Sequence, residues 1–448
     1  MSPFVIFKRR DRRWTVSVIQ ITKNIVAVVA GAVLTSTSWA QNPPDPLTRQ
    51  SFTPEQLVAR VWERNPGITE LTAVAEVAVH RINPAGSLDD PSLSHAFAPR
   101  TFGRAGQGLN QKVEVSQSLP WPGTLKARRL VAEHDAAAAR QDIGALRLRL
   151  AARAKSAYAE WYFIGRALAI HHESYGLLEE LRAVVETRYA AGDALQQDVL
   201  QVAMELAKLD RHLLQLKRIA SSVQAQVNTL LNRDPATPLP VPVGVHVQRP
   251  VPGVSDLERQ ALQAHPDLRR LDAKIAGHDA AVTLAQRAFY PDFRVMAGYS
   301  SLWDEADKRP VVGVSINLPI DRGKRRAILN SAKATVRQVE AQRDAQRAQL
   351  LGELARSHAE VVESIGTVAL FETSLLPLAN AYFDAALGDY RSGTGSFSSV
   401  ITAEKQKLAT EEGLERSRAD VIRRQAELER WSGINPLPVR MQGTGKRP

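Results

Sequence analysis

The chain has 448 residues, a formal net charge of +11 and no cysteine. The absent thiols exclude disulfides, thiolate metal sites, a cysteine nucleophile and a lipid attached through an N-terminal cysteine. Aromatics are only 6% of the chain and its charge is +5 in residues 1–40 and +6 beyond, spread among many acidic residues, so composition favours long helices and gives nucleic acid no footing as a partner.

Residues 1–40 read as a signal peptide. Lys8, Arg9, Arg10, Arg12 and Arg13 open a basic region that runs to Lys23, Ile25–Leu34 is an apolar core, and Ser38-Trp39-Ala40 offers small residues at both cleavage-defining positions. The core is too short for the roughly 20 residues that cross a bilayer, so cleavage is expected. No later stretch reads as an uninterrupted apolar span, which predicts an exported chain without a helical anchor. Residues 41–51 are an extended lead-in.

Residues 52–235 form a first repeat. Thr53-Pro54-Glu55 opens a helix, with Thr53 as cap and Pro54 at the first helical position. Leu57, Val61, Ile68, Leu71, Val74 and Ala78 give it an apolar stripe to about Arg81, with an irregularity at Asn65-Pro66 and a break from Asn83 to Pro91. Residues 92–119 read as a β-hairpin. Leu93 and Phe97 lie on one side of its first strand, Arg100–Asn110 is a Gly-rich loop, and Val113, Val115 and Leu119 share a face with Gln117 on the second strand. The glycine spacing is wrong for a phosphate-binding loop, and a strand rather than a helix follows. From Thr124 to about Tyr189 apolar residues recur at three and four, which predicts one helix of roughly 100 Å. The tip turn is 188–194, with Gly192 as stop and Asp193 as cap, and a helix from Leu195 to Asn232 follows.

Residues 236–254 are a Pro-rich linker, and the pattern restarts over 255–436. Ser255 is expected to cap a helix to Arg287, interrupted at His265-Pro266. The second hairpin is 292–319. Phe293, Val295, Ala297 and Tyr299 alternate in its first strand; in its second, Val312, Val314, Ile316 and Leu318 oppose Gly313, Ser315 and Asn317. A second long helix runs from Lys324 to about Tyr390, with a kink expected at Pro377 and weakening across Gly352–Gly366. The tip turn 389–395, a helix from Ser396 to Trp431 and a flexible tail, 437–448, complete the chain.

Pro66/Pro266, Pro91/Pro291, Leu119/Leu318, Gly123/Gly323, Tyr189/Tyr390, Gly192/Gly393 and Pro235/Pro436 lie 199 to 201 residues apart, the signature of an internal duplication. The expected fold is mainly α with a small β part. Each long helix outruns the helix after it, so the first and last helices of a repeat must stack end to end along it. The strands then emerge at one end of the rod and the glycine turns at the other. Four strands cannot close a barrel, and no strand edge stays open in a membrane. Spanning barrels begin at eight strands, so several chains would share one barrel; the alternative is a small soluble sheet capping a helical bundle.

Three stretches carry a resemblance. They are the junctions Leu119-Pro120-Trp121-Pro122-Gly123 and Leu318-Pro319-Ile320-Asp321-Arg322-Gly323, the tip Arg188–Leu200 (RYAAGDALQQDVL) and the tip Asp389–Ile401 (DYRSGTGSFSSVI). With the duplication, they make residues 52–436 similar to the TolC-type outer-membrane efflux proteins. The resemblance implies a homotrimer, with a twelve-stranded transmembrane β-barrel in outer-membrane lipid continuing into a long periplasmic α-helical barrel. It implies a passive duct partnered by a periplasmic adaptor (membrane fusion) protein and an inner-membrane pump. The Gln196–Leu200 tip and the Trp121 junction are most similar to the heavy-metal cation efflux (CzcC-like) branch.

The resemblance places adaptor contact at Tyr189, Gly192, Asp198, Val199, Leu200, Tyr390, Gly393, Phe397 and Val400, and lipid contact at Val312, Val314, Ile316 and Leu318. A plainer reading holds beside it: tyrosines packing at helix ends, glycines capping, and Asp198 favoured by the dipole of a first turn. Relatives can carry an Asp-Val-Leu-Asp run in the second tip, forming an acidic ring; here those positions are Ser399 and Thr402, which leaves Asp198, Asp193 or Glu404 to attract cations. No enzyme constellation, cofactor motif or metal-ligand pair appears. No two of the ten histidines stand three or four apart, and His171-His172-Glu173 reads as a solvated face. The competing class is a soluble periplasmic coiled-coil adaptor or scaffold.

Overall fold

The computed structural model describes residues 52–98, 110–240, 242, 244, 251–301, 303 and 305–434. The signal and lead-in, most of the Gly-rich loop, part of the linker (241, 243 and 245–250) and the tail lie outside the described residues.

Helix α1 (Pro54–Arg64) starts on a reciprocal capping box: Thr53 Oγ1 accepts from the Gln56 N–H, and Gln56 Oε1 accepts from the Thr53 N–H. Pro66 lacks a donor and keeps residue 65 out of the helical region. The expected single helix to Arg81 is therefore two, with Asn65 capping α2 (Pro66–His80). A short turn, α3 (Ile82–Gly86), occupies part of the expected break. Helix α4 (Thr124–Ala191) runs unbroken for 68 residues, about 100 Å. Helix α5 (Gln196–Leu230) follows, with Leu195 rather than Asp193 at the cap position.

In the second half α6 (Val254–Ala264) starts from Gly253, so Ser255 lies inside the helix instead of capping it. Helix α7 (Pro266–Arg287) is capped by His265. Helix α8 (Arg322–Leu370) passes through Gly352 and Gly366 without a break. Just before Pro377 the helix widens into a π turn, Phe371–Leu375, and resumes as α9 (Leu376–Ser392). Widening relieves the clash of the ring with the preceding turn and the loss of its N–H. Helix α10 (Phe397–Ser432) ends the described chain.

Helix α4 is the spine, packing against α1, α2, α3, α5, α7 and α10. Helix α7 lies on both α4 and α8, and α10 lies on α4, α8 and α9. The end-to-end stacking is visible in two matched bonds. Asn65 Nδ2 donates to the Leu230 carbonyl at 3.1 Å and His265 Nε2 to the Arg430 carbonyl at 3.3 Å, each spanning 165 residues. Charged pairs tie α4 to α10: Lys155 to Glu429 at 2.7 Å and Arg416 to Glu160 at 2.7 Å, with the Arg416 guanidinium 3.5 Å from the Phe163 ring centre. Next to the second pair the Tyr162 hydroxyl donates to Glu415 at 2.5 Å; burial, then that carboxylate, push the phenol up to about 12.

The strands are β1 (Ser92–Phe97), β2 (Gln111–Leu119), β3 (Asp292–Ser300) and β4 (Pro310–Asn317), antiparallel in the order β1-β2-β3-β4. Leu318, expected in the last strand, lies one residue past it.

Candidate functional site

Two regions could do work, at opposite ends of α4. At its N-terminal end the sheet register lines up the rows His95–Val113–Tyr299–Pro310, Leu93–Val115–Ala297–Val312, Gln117–Val295–Val314 and Leu119–Phe293–Ile316. Alternate residues point to opposite faces, so these rows make one apolar face broken by His95 and Gln117. Its aliphatic side chains are exposed, Val312 by 84% and Val314 by 63%. The other face carries the rows Ser92–Ser116–Met296–Gly313 and Ser118–Arg294–Ser315. Gly298 is required on that face: a Cβ there would fall 2.4 Å from the Val113 carbonyl oxygen. Among the described residues β1 and β4 each have one unpaired edge.

The junctions fix the helices to this sheet. The Trp121 ring stacks 4.9 Å from Tyr290 and 5.9 Å from Phe293, and the Trp121 backbone N–H donates to Asp292 Oδ1 at 2.9 Å. At the second junction Asp321 accepts from the Lys324 N–H at 2.9 Å and caps α8.

At the far end both tips are Schellman turns. Gly192 and Gly393 take φ of +84° and +81°. The following N–H groups reach back to Arg188 and Asp389 carbonyls at 2.8 and 2.9 Å. Asp198 closes the first tip from the next helix, its carboxylate accepting from the Leu195 N–H at 3.4 Å. At the equivalent place Ser396 Oγ accepts from the Ser399 N–H at 3.2 Å. The capping roles expected for Gly192 and Gly393 are thus present, and Asp198, expected as an acid in a first helical turn, lies there and also caps.

The structure divides the nine tip residues. Tyr189, Gly192, Leu200 and Gly393 are exposed, and Asp198 and Val199 are half-buried. Tyr390, Phe397 and Val400 are buried in a core shared with Leu181, Val185 and Val202, and offer no surface. Sequence reasoning missed the group that joins the tips. Arg188 donates to the Tyr390 and Arg391 carbonyls at 3.2 and 3.4 Å, with its guanidinium 4.6 Å from the Tyr390 ring centre. The signal was a break in the repeat: the matching residue is Asp389. Two other expectations fail. Glu404 cannot attract cations at the mouth, being 4% exposed and bonded to Ser174 at 2.7 Å. Of the cluster expected to be solvated, His172 and Glu173 are exposed, but His171 is 3% exposed because α5 and α10 cover that side of α4. Among the described residues no group of three His, Asp or Glu side chains is placed to hold a metal ion.

An exposed apolar sheet face with open edges at one end of very long helices, and paired glycine turns at the other, is an uncommon combination. Solved outer-membrane channels share the fold. The chain superposes on the outer-membrane channel OprN with a TM-score of 0.72 at 19% identity, covering 85% of this chain and 89% of that one. On VceC of Vibrio cholerae the score is 0.71 at 20% identity, over 85% and 96%. On CusC it is 0.73 at 16% identity, over 88% and 95%.

The chain has the TolC-type outer-membrane channel fold.

Part of the sequence also matches a family model and a curated relative. Residues 257–433 match the family model described as outer membrane efflux protein. Outer membrane protein OprJ of Pseudomonas aeruginosa is 25% identical over 291 residues, 60% of this chain and 57% of that protein. The match thus spans under two thirds of that relative's length. One expectation about the TolC-type helices needs correction. The continuous helix Arg322–Ser392 holds an 18-residue stretch apolar enough, by composition, to cross a membrane, and only 17% of that stretch is buried within the chain.

Proposed function

We propose that the chain is the outer-membrane exit duct of a tripartite efflux system, a homotrimer that passively carries cargo from pump and adaptor to the exterior. The observation that carries this reading is the sheet. An aliphatic face this exposed, flanked by unpaired edges, is stable where lipid covers the face and neighbouring strands pair the edges. Three copies would supply twelve strands, an allowed number for such a barrel.

The helices support the same closure. Helix α7 packs extensively on both α4 and α8, whereas the extensive packing of its counterpart α2 among the described residues is on α4. Val74 and Val77 of α2 and Met204 and Leu214 of α5 are therefore exposed on one flank, and Leu370, Leu378 and Tyr382 on the other. A ring in which α2 and α5 of one copy meet α8 and α9 of the next would repeat the contacts seen inside the chain and bury both flanks. The apolar stretch of Arg322–Ser392 then faces a neighbouring protomer rather than lipid. The duct would have no catalytic site, its drive and selectivity coming from the pump.

The exposed tip residues Tyr189, Gly192, Leu200 and Gly393, with Asp198 and Val199, form the surface offered to a periplasmic adaptor. Tyr390, Phe397 and Val400 shape that surface from beneath. Opening would part the two tips and so break the Arg188 contacts to Tyr390 and Arg391. Heavy-metal cations are the cargo implied by the resemblance of the Gln196–Leu200 tip and Trp121 junction to the heavy-metal cation efflux branch.

The discriminating experiment is fractionation after export in a Gram-negative host. The duct reading expects the chain in outer-membrane vesicles as a trimer. Release by osmotic shock would overturn it in favour of the soluble scaffold. Deletion in the native host, with growth scored against metals, drugs and dyes, tests the cargo: unchanged metal tolerance with a lost drug tolerance would sink the metal reading.

A further inference from the structure

The apolar row of β4 does not stop with the strand. Val312, Val314, Ile316 and Leu318 alternate along it, and Ile320, two residues further, is 85% exposed. Two successive three-residue turns join Leu318 to Arg322: the Ile320 N–H donates to the Leu318 carbonyl at 3.0 Å and the Arg322 N–H to the Ile320 carbonyl at 2.9 Å. Such turns keep the chain extended, so the alternation carries on to Arg322, where apolar gives way to charge. Arg326 follows one helical turn later on the same face of α8. Phe293 lies opposite Ile316 in the register and carries the stacked rings of Trp121 and Tyr290, with Tyr290 48% exposed. Trp and Tyr favour the level at which hydrocarbon meets water.

The charge at this level is unbalanced. Residues 322–339 hold six Lys or Arg and no Asp or Glu. Arg325 is committed to the Ala288 and Asp321 carbonyls at 2.7 and 2.9 Å. The two carboxylates of the junctions serve backbone N–H groups, Asp292 that of Trp121 and Asp321 that of Lys324, both at 2.9 Å. Arg322 and Arg326 are exposed, and no carboxylate among the described residues pairs with either. The helix has no use for them, since cations in a first turn oppose its dipole. The duplication repeats the feature: Lys126 follows Gly123 by three residues as Arg326 follows Gly323, and it too is exposed.

We propose that this basic collar binds anionic phospholipid headgroups in the leaflet on the helical side of the membrane. The proposal rests on the duct reading, which puts the sheet in lipid. Acyl chains lie against Leu318 and Ile320, and the Arg322 and Arg326 guanidinium groups donate to headgroup phosphate oxygens. A zwitterionic headgroup offers the same phosphate but brings its own cation, so the unbalanced collar favours lipids with a net negative charge.

The purified full chain, reconstituted in phosphatidylcholine vesicles, is probed with spin-labelled phosphatidylglycerol and spin-labelled phosphatidylcholine. Electron paramagnetic resonance reads the fraction of each that the protein immobilises. A preference of about threefold for phosphatidylglycerol is expected, falling towards equality in about 1 M salt. Arg322→Gln with Arg326→Gln should lose that preference. Lys333→Gln with Arg337→Gln removes as much charge from the same helix but begins about 16 Å further along it, beyond a headgroup layer of roughly 5–8 Å, and should keep it. Native electrophoresis checks that the variants still assemble; the preference of the unaltered chain and its salt dependence decide the matter for any that does not. Immobilised lipid without preference, a preference unchanged in the Arg322 and Arg326 variant, or equal loss in both double variants overturns the proposal, and the cations then serve the lumen or another protein. Failure to immobilise either lipid would mean that the chain is not in the bilayer, and the duct reading falls as well.

Discussion

At the scale of single residues the duplication is chemical as well as positional. Asn65 and His265 are different side chains with one job. Each accepts from the backbone two residues on, the Gly67 N–H at 3.1 Å and the Asp267 N–H at 3.2 Å, and each donates to the last turn of a helix stacked on it. For His265 this demands a neutral ring protonated at Nε2. Burial lowers its pKa below the ordinary 6.5, with Asp267 opposing. The unfolded chain takes up that proton as pH falls below 6.5 while the folded ring resists it. The contribution of His265 is therefore full above pH 6.5 and is lost as pH falls from 6.5 towards the lower folded value. His265→Asn should keep both bonds and flatten the pH dependence of the melting temperature between about pH 7 and 5. His265→Ala should lose the cap, at about 1 kcal/mol. Equal pH slopes for wild type and His265→Asn would show that other groups set the acid response.

At the scale of elements the tips carry the sharpest expectations. A β-branched residue in the left-handed conformation of Gly192 or Gly393 costs on the order of 1–2 kcal/mol. Gly192→Val with Gly393→Val should disorder the tips and abolish resistance, while trimers still form because the sheet and the flanks are untouched; trimers with unchanged resistance would remove the tips from the mechanism. Arg188→Ala deletes both carbonyl contacts and the stacking on Tyr390, and should raise the basal conductance of the channel in planar bilayers. Arg188→Lys, which keeps the charge but not the planar fork, should rescue it only in part. Some elements were legible beforehand. The α4 periodicity, the Gly192 and Gly393 stops and the Asn65-Pro66 break follow from local rules about proline, glycine and spacing. Pro377 was legible as a disturbance, but whether a helix kinks or widens depends on its packing, and here α10 lies along α8, the π turn and α9. The short α3 and the Gly253 start of α6 lay below what local signals resolve.

At the scale of the whole molecule, sidedness is what function needs. Val314 and Ser315 are neighbours on opposite faces of β4. A lysine at Val314 near the bilayer midplane costs about 2–4 kcal/mol, whereas one at Ser315 points the other way. Val314→Lys should reduce recovery of the trimer from outer-membrane vesicles, and Ser315→Lys should not. Equal recovery of the two would mean that this face does not meet lipid.

The sequence alone determined the duplication, the two very long helices, the tip turns and the apolar alternation of the strands. These rest on period, proline and glycine, which act over a few residues. Tertiary structure decided which side chains of those elements are covered. Tyr390, Phe397, Val400, Glu404 and His171 are buried by helices up to about 240 residues away in sequence, as the His171–Glu412 separation of 241 shows, and no local pattern encodes such a partner. Of the nine tip residues only Tyr189, Gly192, Leu200 and Gly393 are therefore exposed, with Asp198 and Val199 half-buried.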